Sequence, residues 1–90
     1  MNNLIFDWDN EKNIILKQQR NICFEDIVIS VQDKRILDIV KNSSNKYKNQ
    51  YCLIVEITSY AYVVPFVKKD NCLFLKTIYP SRKQTKKYLK

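Results

Sequence analysis

The stretch YCLIVEITSYAYVVPFVKKDNCLFLKTIY, residues 51–79, decides the fold. It contains three runs rich in Val, Ile, Tyr and Phe: Tyr51 to Thr58, Tyr60 to Val67, and Leu73 to Tyr79. The breaks at Thr58-Ser59 and at Lys69-Asp70-Asn71 are of hairpin length, so the pattern predicts consecutive antiparallel strands. Pro65 has no amide proton to give to a ladder, which predicts an edge or a bulge late in the second run. Pro80 should stop the third run, and Ser81 should cap a short basic helix through Leu89.

Upstream, Leu4-Ile5-Phe6 predicts a short strand. Asp7 or Asp9 then caps a helix with acidic residues in its first turn, running to about Gln19 with Ile15 and Leu16 facing inward. Arg20-Asn21 ends it, since Asn tolerates left-handed backbone. Phe24, Ile27, Val28 and Val31 recur at i, i+3, i+4 and i+7, which predicts a second helix from Phe24 to about Gln32. Arg35 to Lys41 reads as a strand, with Ile36, Asp38 and Val40 on one face and Leu37 and Ile39 on the other. Residues 42–49 read as a polar loop. No repeat or linker interrupts the chain. The expectation is a single domain over 1–90 of α+β class: two N-terminal helices, a curled antiparallel sheet of about four strands, and a short basic C-terminal helix.

Composition narrows the chemistry. Apolar residues make up 46% and charged residues 28% of the 90, the balance of a globular chain. A chain this short buries only roughly 60% of its unfolded surface, so it gains from a partner. No run approaches the about 18 apolar residues of a membrane span, and the N-terminus has no secretion signal, so a cytoplasmic location is expected. Three widely spaced cysteines, Cys23, Cys52 and Cys72, fit reduced, buried thiols better than a disulfide frame. The chain has no histidine and no glycine. That removes the commonest general base and metal ligand, and with them the Walker loop, the dinucleotide fingerprint and the nucleophile elbow. Neither a metal site nor a cofactor is expected.

The net charge of +7 is unevenly placed. Residues 1–67 carry eight Lys/Arg against eight Asp/Glu, whereas residues 68–90 carry eight Lys/Arg against Asp70 alone. A concentrated basic end is the footprint of a phosphate-backbone binder, and Tyr79 and Tyr88 lie among these charges as stacking surfaces. A solubilising tail is the plainer account of such an end.

Three segments carry a resemblance. Phe6-Asp7-Trp8-Asp9-Asn10-Glu11-Lys12 resembles the Phe-x-Trp-Asp-x-x-Lys opening of the BrnT family of type II toxins. Arg20-Asn21-Ile22-Cys23-Phe24-Glu25 is similar to that family's His-Gly-Val/Ile-Ser-Phe-Glu, with Arg20-Asn21 in place of His-Gly and Cys23 in place of Ser. Lys76-Thr77-Ile78 followed by Arg82 and Lys83 resembles its last strand running into a basic terminal helix, although Tyr79-Pro80-Ser81 interrupts the strand. The likeness spans nearly the whole chain, in order. It implies a RelE-like fold, ribonuclease activity, and a cognate antitoxin of ribbon-helix-helix type through which alone the complex contacts operator DNA.

Metal-free RNA cleavage needs a group to take the 2′-hydroxyl proton, a cation for the phosphorane oxygens and an acid for the leaving 5′-oxygen. Arg, Lys and Tyr can supply these. On motif position Arg82 is the phosphate clamp, at the start of a helix whose free amides also favour phosphate. Lys76, between Phe74 and Ile78 on its strand, is the general acid/base or a second clamp, unless Glu56 simply pairs with it. Tyr88 is the third catalytic candidate, by stacking or proton transfer. Lys83, Lys86 and Lys12 are candidate RNA contacts, and Tyr79 is a candidate stacking platform or core residue. Ser81 is a cap rather than a nucleophile, Trp8 a core residue, and Glu25 belongs to the first turn of the second helix. Two other readings fit the same charges: a non-catalytic nucleic-acid-binding module, and a protein-interaction domain docking an acidic partner.

Overall fold

The computed structural model describes residues 5–41 and 50–89; Leu4, the loop expected over 42–49 and Lys90 lie outside them. The described chain runs β1 (Ile5–Trp8), α1 (Asn10–Arg20), α2 (Phe24–Gln32), β2 (Ile36–Lys41), β3 (Gln50–Ile57), β4 (Tyr60–Lys69), β5 (Cys72–Leu75), β6 (Tyr79–Pro80) and α3 (Arg82–Leu89). It is a mixed α+β fold around a six-stranded sheet of order β1-β5-β4-β3-β2, with β6 also paired to β4. The sheet is therefore larger than the four-stranded antiparallel one expected. It is also not wholly antiparallel, because β1 pairs with β5 in parallel, Ile5 opposite Cys72 through Trp8 opposite Leu75. The connectivity explains that pair. The helix pair returns the chain to the far edge of the sheet, and three reversals then bring β5 back beside β1 in the same direction.

Local chemistry fixes the helices. Asp9 caps α1 by accepting from the Glu11 amide at 2.9 Å. Asn21, at φ 56°, ends the helix and donates its amide to the Lys17 carbonyl. Asn13 ties α1 to α2: its Oδ1 accepts from the Phe24 amide at 2.7 Å and its Nδ2 donates to Glu25 Oε1 at 2.8 Å. The Asp26 carboxylate accepts from the Cys23 amide at 3.0 Å, one half of a capping box.

Leu16 from α1 and Phe24 and Ile27 from α2 pack on Leu53, Val55, Val64, Phe66, Leu73, Leu75 and Ile78 of one sheet face. Trp8 stacks on Phe24 at 5.5 Å. Ile15, expected inward, is instead 43% exposed; the positions stacked one turn before Leu16 are the half-buried Lys12 and Asn13. The three cysteines are free and half-buried rather than fully enclosed.

Two irregularities depart from the simple strand pattern. In β2 the register slips between Ile36 and Asp38, so Leu37 is the extra residue. Ile36 then shares a face with Ile39, and Asp38 with Val40, instead of Ile36, Asp38 and Val40 lying together. The second irregularity follows from Pro65. The Lys76 amide donates to the Pro65 carbonyl at 2.8 Å, but proline has no proton to return, and β5 leaves the ladder there. Pairing resumes at Val63 opposite Tyr79, three residues after Lys76 but only two before Pro65. The extra residue turns the single run expected over Leu73–Tyr79 into β5 and β6. It also shifts the inward phase from Leu73 and Leu75 to Ile78, which is fully enclosed.

With no glycine in the chain, left-handed positions fall to other residues. The β3–β4 hairpin turns on Thr58 at φ 53° and Ser59 at φ 64°, the backbone signature of a type I′ turn. A β-branched residue is poorly suited to that region. Replacing the pair with Asn-Gly (Thr58→Asn, Ser59→Gly) is expected to stabilise the fold by about 1 kcal/mol, raising Tm by about 4–8 °C in thermal unfolding. An unchanged or lowered Tm would show that the turn carries no such strain.

Candidate nucleic-acid interface

The sheet divides the molecule. Helices α1 and α2 cover one face; α3 lies on the other, over Ile54, Ala61 and Val63, which are buried outside the main core cluster. Its placement is polar. Ser81 caps it, Oγ accepting from the Gln84 amide at 3.2 Å, and the Ser81 amide donates to the Ala61 carbonyl at 3.0 Å. Thr85 Oγ1 accepts from the Ala61 amide at 2.9 Å and donates to the Ser81 carbonyl at 2.8 Å. The Tyr88 hydroxyl donates to the Asp38 carboxylate on β2. Ser81 is thus a cap with its hydroxyl committed to the helix.

These anchors fix which side chains face outward. Arg82, Lys83, Lys86 and Lys87 are all exposed, while Ser81, Gln84, Thr85 and Tyr88 turn toward the sheet. Arg82 and Lys86 are one turn apart on the same face, and Lys83 and Lys87 likewise. The first turn of α3 contains no acid. Arg82 and Lys83 sit at the positive end of the helix dipole, where cations are disfavoured by roughly 0.3–1 kcal/mol each and an anion would relieve them.

The other candidates are placed differently. Lys76 is exposed, its Nζ 5.5 Å above the Phe74 ring. The bulge puts Ile78 on the opposite face, so Lys76 does not interrupt an apolar row as the alternation implied. Glu56 is paired with Ala61, four residues along β4 from Pro65, or about 13 Å from the level of Lys76, too far to be its partner. Lys76 lines a cleft of ≈ 530 Å³ with Asp7, Lys69, Asp70 and Phe74. Tyr79 lines a separate cavity of ≈ 260 Å³ beside Cys52, Pro65, Ser81 and Gln84. Burial pushes its phenol above the ordinary value, with Cys52 adding to the effect. Lys12 is on α1, across the sheet from α3, and is not brought to Arg82. Tyr88 points at β2 and away from the face that presents Arg82. The structure therefore gathers Arg82, Lys83 and Lys86, places Tyr79 and Lys76 in two hollows of the α3 side, and leaves Lys12 apart.

Three positioning residues were not singled out from the sequence. Arg20, treated there as a helix end, donates from its guanidinium to the Ile78 carbonyl freed by the bulge. Asp38 anchors Tyr88, and Gln84 lines the cavity under α3. The partners of Arg20 and Asp38 are remote in the chain, 58 and 50 residues away. Among the described residues no group of three His, Cys, Asp or Glu is placed to hold a metal, and no helix is long and apolar enough to cross a membrane.

The described chain is an α+β protein that presents a cationic helix, α3, on the sheet face opposite α1 and α2. No family model, curated protein or solved structure matches the chain.

The Tyr88–Asp38 bond has a defined pH range. Its hydrogen bond to Tyr88 holds the Asp38 carboxyl below its ordinary value of 3.8, so the stabilisation is present above that value and lost as pH falls through the lowered one. The same bond raises the Tyr88 phenol above 10.0, so that contribution is present below 10.0 and lost as pH rises through the raised value. Tyr88→Phe is expected to loosen α3 between these limits, measured as faster amide exchange in residues 82–89, and to match wild type at both extremes. Equal exchange at neutral pH would show that the bond does not hold the helix.

Proposed function

We propose that this chain is the toxin half of a type II toxin–antitoxin pair, a BrnT-like, metal-independent cytoplasmic ribonuclease with a RelE-like fold. It cleaves RNA by 2′-hydroxyl attack and is silenced by a ribbon-helix-helix antitoxin, through which alone it meets operator DNA. The observation that carries this reading is the first turn of α3. Two cations, Arg82 and Lys83, share the positive helix end with unpaired backbone amides, an arrangement that a phosphate group offsets. Arg82 presents a planar fork to the phosphorane oxygens. Lys83 and Lys86 hold flanking phosphates; Lys76, which lines a separate cleft, is the remaining candidate for acid/base or second clamp. The three sequence motifs supply the family, and the α+β architecture with a basic terminal helix agrees with it.

A second reading, RNA binding without cleavage, is favoured by one observation. The Tyr88 hydroxyl is committed to Asp38, which removes one of the three candidate catalytic groups from the substrate side.

Inducible expression in a bacterium separates the two. Wild type is expected to arrest growth with broken cellular RNA. Arg82→Ala should abolish the breakage while RNA affinity falls by no more than about tenfold and its salt dependence flattens by about one phosphate. Intact RNA and normal growth with folded wild-type protein would leave the binding reading. A short reading frame beside the gene, encoding a ribbon-helix-helix protein, would supply the expected antitoxin.

A further inference from the structure

The sheet ends at two strands. Among the described residues β1 lies at one edge and β2 at the other, each with a neighbour on one side. A free edge turns a row of amides and carbonyls outward, where another strand can pair with them. β2 adds apolar side chains to that row, since Ile36, Ile39 and Val40 are all exposed.

At each edge one amide is already taken, and by the same means. On β2 the Ile39 amide donates to Oδ1 of Asp38 at 2.8 Å. On β1 the Trp8 amide donates to Oδ1 of Asp7, also at 2.8 Å. The parallel ladder fixes the direction of the second: the Ile5 amide donates to the Asn71 carbonyl, so by alternation Asp7 turns its amide to β5 and Trp8 turns its amide outward. On β2 the Leu37 bulge adds a further interruption of the regular edge.

We infer that Asp7 and Asp38 close the two sheet edges against strand addition by a second copy of this chain, and that β2 is the edge that pairs when its aspartate is removed. Two-fold geometry shows why Ile39 is the amide to occupy. In an antiparallel pair of β2 strands centred on Ile39, the two copies of Ile39 exchange both hydrogen bonds. In the register centred on Val40, each Ile39 amide donates to the Lys41 carbonyl of the other copy. Both registers need the Ile39 proton once per copy, and Asp38 holds it. The carboxylate is itself held for that task, because Oδ2 accepts from the Tyr88 hydroxyl while Oδ1 takes the amide. β1 has only four residues and offers a shorter ladder, so β2 is the stronger of the two edges. The inference does not depend on RNA binding.

The test is sedimentation of the full chain over a range of concentrations, with circular dichroism to confirm folding. Wild type is expected to remain monomeric where Asp38→Ala dimerises, the variant associating roughly tenfold or more tightly because two edge amides per dimer are released. Asp38→Asn keeps an oxygen acceptor while discarding the charge, and should stay monomeric. Tyr88→Phe loosens α3 but leaves the Oδ1 bond, and should stay monomeric too. Asp38→Val, suited to a strand, gives the same readout should the alanine variant fold poorly. Adding Asp7→Ala to either opens the second edge and should carry assembly beyond the dimer. A dimeric wild type, folded Asp38→Ala and Asp38→Val that both stay monomeric, or equal dimerisation of Asp38→Asn or Tyr88→Phe overturns the inference; a double variant that stops at the dimer overturns its β1 half.

Discussion

A missing amide proton organises the α3 side of this molecule. Pro65 lies within β4, a central strand, where proline is tolerated only if the side it cannot serve faces a gap. The Pro65 carbonyl accepts from Lys76, so its nitrogen faces the same way, toward the place where β5 departs. One extra residue follows before pairing resumes at Tyr79. From that residue come the inward turn of Ile78, the carbonyl that Arg20 takes up, and the offset that delivers Ser81 to Ala61 as the cap of α3. Pro65 is also part of the wall of the hollow that the offset opens. A residue able to donate at position 65 would favour a continuous strand through Lys76–Tyr79, and neither the cap nor the cavity would sit where it does.

The two sides of the sheet are built by different forces. On the α1/α2 side, burial dominates: Phe24, Ile27, Leu53, Val55 and Val64 are each exposed by 1% or less. Each such side chain contributes about 1.5–3 kcal/mol by leaving water. On the other side α3 has no fully buried residue and is held by the Ser81, Thr85 and Tyr88 hydrogen bonds. Hydrogen bonds exchanged with water contribute only about 1 kcal/mol each, so α3 is the less firmly attached element. The fold can therefore place four cations on this helix without burying charge in its core.

What the sequence revealed follows from how far each signal reaches. The α2 stripe and the β3–β4 hairpin were legible because their information is local: a 3.6-residue period, and two runs separated by Thr58-Ser59. The parallel β1–β5 pair was not, since nothing in Ile5–Trp8 specifies a partner near Cys72. Pro65 announced an irregularity, but the strand that would bear it, and the change of phase at Ile78, depend on which neighbour faces the proline. For the interface, charge counting located the basic end because charge is additive along the chain. It could not separate Lys76 from Arg82, nor see that Tyr88 is paired. Those distinctions are set by Asp38 and by the bulge, 50 residues from Tyr88 in the first case.

The same contrast explains why the cationic helix begins where it does. Residues 1–67 are electrically balanced, and the excess of +7 is confined to residues 68–90. A uniform solubilising charge has no reason to avoid the balanced part, and a helix optimised for its own stability has no reason to open with Arg82 and Lys83. Both choices work against the stability of α3 in isolation. Ser81 completes the arrangement: by satisfying the amide of Gln84 it leaves those of Arg82 and Lys83 as the donors at the positive end of the helix.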